Sequence, residues 1–126
     1  MNIADLIADI NNSKKFLQDN DQRADRTATT FSATFRAQQQ LKEKIDNLKH
    51  QMIEGDASVY QQWKDLIYEL LNKAKVLMLM EKLKEEIAAE TRIQEELLKK
   101  KQKALEVALA DELDNIVVSF NLDKVS

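Results

Sequence analysis

The sequence predicts an all-α fold of two long helices, a helical hairpin or coiled coil, joined by a short turn at residues 55–58. Three observations predict it. The 126 residues contain no proline and a single glycine, Gly55, so little is present that would stop a helix. A row of apolar residues recurs every seven positions through the first half. A helix-stop signal then stands directly before a helix-start signal.

The first arm, residues 1–54, carries the row Ile3, Ile10, Leu17, Ala24, Phe31, Gln38, Ile45 and Met52. Three positions on from these come Leu6, Ser13, Asn20, Thr27, Thr34, Leu41 and Leu48. A seven-residue repeat with apolar first and fourth positions is the pattern of a left-handed coiled coil. Here the first row persists while the second is polar in its middle. The pattern predicts a coil with strong ends and a weak centre at residues 19–30, where low helix propensity favours fraying, a kink or a short loop. Asn11, Asn12 and Ser13 compete for backbone hydrogen bonds, so a break after a short helix at 3–10 is an alternative.

The turn follows. Gly55 suits the left-handed residue that closes a helix. Ser58 with Gln61 matches the capping box, and Asp56 is a competing cap. So short a connection favours an antiparallel hairpin; a kink within one continuous rod is the alternative.

The second arm, residues 59–114, opens with the densest apolar stretch of the chain, from Val59 to Leu83. On a helix these residues cover more than half the circumference, wider than a two-stranded seam requires. The stretch therefore calls for more than one neighbouring helix. Beyond Met80 the row Val76, Ile87, Leu98, Leu109 and Phe120 recurs every eleven residues, with Leu83, Gln94, Leu105 and Ile116 beside it. That period implies a straight or slightly right-handed coil. In the tail, residues 115–126, Ile116, Val118, Phe120 and Leu122 alternate with other residues. Period two suggests a short extended segment, with continued and then frayed helix as the alternative.

Composition narrows the chemistry. There is no cysteine and one histidine, His50, so neither a disulfide framework nor a zinc cluster can be built. One glycine cannot make a phosphate loop. The expectation is a protein that is not an enzyme, with no catalytic, cofactor or metal residues. Net charge is −3, and neither half carries the basic excess of a nucleic-acid grip. No secretory signal and no transmembrane span is visible, so the expected setting is intracellular, cytoplasmic or cytoskeletal. Lys99, Lys100, Lys101 and Lys103 could touch an anionic membrane. Glu95 and Glu96 stand four residues ahead of Lys99 and Lys100, which fits a solvated face better.

The expected mode of action is helix against helix. Ile45, Leu48, Met52, Trp63, Leu66, Ile67, Leu70, Leu77, Met80, Leu83 and Ile87 are the candidate partner-binding residues, and the expected partners are other coiled-coil chains in a hetero- or homo-oligomer. In general build the chain resembles small helical subunits of kinetochore, spindle or vesicle-tethering complexes, and no motif assigns it to a family. A membrane-surface helical protein and a helical-hairpin chaperone or scaffold of a secretion or phage system are the alternatives.

Overall fold

The computed structural model describes the backbone from Asn2 to Val125 and the side chains through Asn121. It is a helical hairpin of two long helices packed on each other, with no strand among the described residues. Helix α1 spans Ile3–Ile53, a single 3₁₀ turn covers Ala57–Val59, and helix α2 spans Tyr60–Val125. Contacts group the chain into two compact units that cut across the arms. One unit comprises residues 22–88 and holds the turn; the other joins residues 1–21 to residues 89–126.

Helix α1 begins with Asn2, whose side-chain oxygen accepts the backbone N–H of Ala4 at 2.8 Å. That contact satisfies one of the donors a helix start leaves free. The helix then runs unbroken through 19–30, and through Asn11, Asn12 and Ser13. Three threonine hydroxyls in the expected weak centre turn back onto the helix: Thr27 donates to Arg23 O, Thr29 to Asp25 O and Thr30 to Arg26 O, at 2.8 to 3.0 Å. These bonds occupy the hydroxyls without displacing the backbone ladder.

Both seven-residue rows of α1 turn inward. None of their fifteen residues is exposed, and in the rest of α1 only Asp9 and Ala37 share that degree of cover. The polar residues of the second row are therefore seam residues, not a gap in the seam.

The turn is a helix-closing motif followed at once by a cap. Gly55 has φ +106°, a conformation that a Cβ makes costly. Gly55 N donates to Met52 O and Asp56 N donates to Gln51 O, both at 3.0 Å, the paired bonds of a Schellman closure. Asp56 then accepts the backbone N–H of Ser58 at 2.9 Å and the Ser58 hydroxyl as well. These two bonds hold its carboxyl below the ordinary value of 3.8. The Ser58–Gln61 box does not form: Asp56 is the cap, and Gln61 donates instead to Asp65 at 2.9 Å.

In α2 the inward residues keep the seven-residue spacing. Trp63, Leu70, Leu77, Thr91, Leu98 and Leu105 form one row, interrupted at the exposed Lys84; Leu66, Lys73, Met80, Ile87, Gln94, Lys101 and Ala108 form the other. The eleven-residue row does not mark the buried face. Ile87 is the most buried of the core residues at 2 % exposed, whereas Val76, Leu109 and Phe120 are exposed. A helix packed lengthwise on a seven-residue partner must keep that partner's period to stay in contact. In the tail the helical alternative holds: residues 115–125 continue α2 and are not extended. Leu109, Leu113, Ile116 and Phe120 are spaced 4, 3 and 4, a helical rhythm that competes with the period-two pattern over the same residues.

Candidate partner-binding surface

Within the unit of residues 22–88, most of the residues expected to bind a partner are partly or wholly covered. Leu48 and Ile87 are buried; Ile45, Met52, Trp63, Leu66, Ile67, Leu70, Leu77 and Met80 are half-buried; Leu83 alone is exposed. Ten of the eleven thus lie along the covered face of their helix. At the turn end, the Trp63 ring stacks on Tyr60 at 6.2 Å between centroids, and Lys64 Nζ sits 5.3 Å from the centre of the Tyr60 ring. The indole N–H of Trp63 is buried and makes no hydrogen bond among the described residues.

The apolar surface left open lies elsewhere. Among the described residues twenty large hydrophobic side chains are exposed, against five that are buried. Single exposed apolar residues are ordinary, whereas contiguous patches mark interaction surfaces. In the turn-bearing unit, Tyr68, Leu71, Met78 and Leu79 are each more than half exposed. Met78 and Leu79 line a shallow hollow of about 280 Å³ between Lys75 and Lys82. The excess width of the stretch 59–83 was legible in the sequence. Which side of it stays open was not, because that depends on where α1 lies.

In the other unit, the helical spacing of Leu109, Leu113, Ile116 and Phe120 makes an exposed stripe. Ile93, Leu97 and Val107 are exposed on a second flank of the same helix. Between them the seam sets buried polar residues among apolar ones such as Leu6 and Ile10. Lys101 Nζ donates to the buried Ser13 hydroxyl at 2.8 Å, and Asn20, 2 % exposed, donates to Thr91 Oγ1 at 3.4 Å. These pairings run the two helices antiparallel within this unit. They also turn one lysine of the basic cluster inward, leaving Lys99, Lys100 and Lys103 on the surface.

His50 lies on the solvent face, 3.7 Å from Asp46, with both side chains about two-thirds exposed. No group of three or more His, Cys, Asp or Glu side chains is placed to hold a metal among the described residues. No helix among them is long and apolar enough to cross a membrane. No family model, curated protein or solved structure matches the chain.

Proposed function

We propose that the protein is a non-enzymatic interaction subunit that docks partner helices on the outward faces of α2. One observation carries the reading: exposed large hydrophobic residues outnumber buried ones about four to one among the described residues. Full burial of a large apolar side chain yields about 1.5–3 kcal/mol; these residues are partly covered already, so each has a fraction of that still to gain, and a partner that covers several of them collects the sum. Helix on helix is the geometry offered, since both stripes follow helical spacing and a helix lies lengthwise in such a groove. Cytoskeletal, spindle and vesicle-tethering assemblies are the settings this build suits.

The test is the native size of the protein in extract from its own source. Size-exclusion chromatography with immunodetection should place it well above the 14.6 kDa of one chain. Elution as a lone 14.6 kDa hairpin would end the proposal.

A further inference from the structure

We infer that a second copy of this chain packs antiparallel along the outer flank of α2, about a two-fold axis passing between Leu105 and Glu106. The inference rests on the reading above and names its partner.

A two-fold contact requires that if one residue faces another across the axis, the converse pair also forms. The flank from Ile93 to Val118 has that property. Its outward positions, 93, 97, 100, 104, 107, 111, 114 and 118, are spaced alternately by four and three. The series reads the same in both directions and stays on one helix face. All eight are exposed. Turned about the axis, Ile93 meets Val118 at both ends, and Ala104 meets Val107 on either side of the centre. Ala104 is small enough for the backbones to approach closely there. The centre also borders a hollow of about 430 Å³, lined by Leu6, Val107 and Asp111 among others, which gives the incoming helix room to seat.

Charge selects this orientation and this register. Residues 99–103 carry four lysines and no acid, and residues 104–121 carry four acids and no base. A parallel pair in register would set like blocks against like. The antiparallel pair sets each basic block against the acidic block of the other copy, twice over, with Lys100 facing Asp111 across the interface. Within the chain, neither Lys100 nor Asp111 takes part in an ion pair among the described residues. Both are therefore available to a partner. The remaining pair, Leu97 against Asp114, is mismatched, which fits a reversible dimer rather than an obligate one.

Sedimentation equilibrium on the purified full chain tests this, with circular dichroism to confirm that each variant remains helical. Wild type should show a monomer–dimer equilibrium. Lys100→Asp and Asp111→Lys should each weaken it roughly tenfold or more, since each replaces two attractions with two repulsions. The double variant, and an equimolar mixture of the two single variants, should recover wild-type affinity, because the opposed signs are restored. A wild type that stays monomeric up to about 1 mM, where association is already very weak, overturns the dimer. So does a dimer that ignores both reversals, or one that the double variant fails to rescue. A monomeric wild type that still elutes large in native extract would separate failure of this inference from failure of the broader one.

Discussion

Ser13 and Asn20 are the residues at which the seam is most exacting. Both stand in the second heptad row, where an apolar residue would pack without further demands, and both are almost completely buried. Ser13 accepts from Lys101, so removing its hydroxyl leaves a half-buried ammonium short of an acceptor. Ser13→Val should cost about 1–3 kcal/mol in urea unfolding, and adding Lys101→Leu should recover most of it, because the unmet donor goes too. A double variant as unstable as the single one would mean that the Ser13–Lys101 bond contributes little. Gly55 is the other demanding position. No atom lies within 4 Å of where a Cβ would stand, so only its backbone conformation opposes substitution. Gly55→Ala should therefore cost about 1–2 kcal/mol, read as a lower denaturation midpoint. The role of Gly55 was legible from the sequence because it is the single glycine in the chain. The partner of Ser13 was not, since Lys101 looked like one lysine of a solvated run until the phase of α2 was known.

At the scale of elements, the two helices show how tertiary contact overrides local pattern. Residues 19–30 have poor propensity, but Ala24 and Thr27 keep the inward register, and helix stability in proteins comes mostly from such packing. In α2 two periods compete, and they assign different values to the same residues. On the eleven-residue reading, Ile87, Leu109 and Phe120 are equivalent. On the seven-residue reading only Ile87 is core. Ile87→Ala should cost about 2–5 kcal/mol, while Leu109→Ala, at a half-exposed position, should cost well below that range in the isolated chain. Equal losses at the two sites would restore the eleven-residue frame. The start of α2 adds a pH signature. The Asp56 carboxyl is held low by its bonds from Ser58, so its stabilising contribution is complete above the ordinary carboxylate range. It fades as pH falls below about 4. Asp56→Asn keeps a capping oxygen but cannot titrate, so its thermal midpoint should fall less steeply in acid than that of wild type. Parallel curves would show that the cap does not contribute to the acid response.

For the whole molecule, the distinction that matters is between apolar residues the hairpin uses and those it leaves open. Within residues 22–88 the two sets lie side by side on α2: Leu70 and Leu77 are half-buried, while Leu71 and Leu79 are more than half exposed. From the sequence alone the set is one wide stripe. It divides only when α1 covers one side, which is why the stripe's existence was readable and its open edge was not. The division gives opposite expectations for neighbouring substitutions. Leu70→Asp with Leu77→Asp drives two carboxylates into the seam, where burying a charge is strongly unfavourable, so the chain should lose helical signal and cooperative unfolding. Leu71→Asp with Leu79→Asp places the same charges in solvent, so helicity and unfolding midpoint should hold while the partner held on this face is lost, read as a smaller native size in extract. Loss of folding in both pairs would mean that Leu71 and Leu79 also support the hairpin. Full retention of assembly in the exposed pair would remove this face of α2 from the docking surface and leave the flank between Ile93 and Val118 as the remaining candidate.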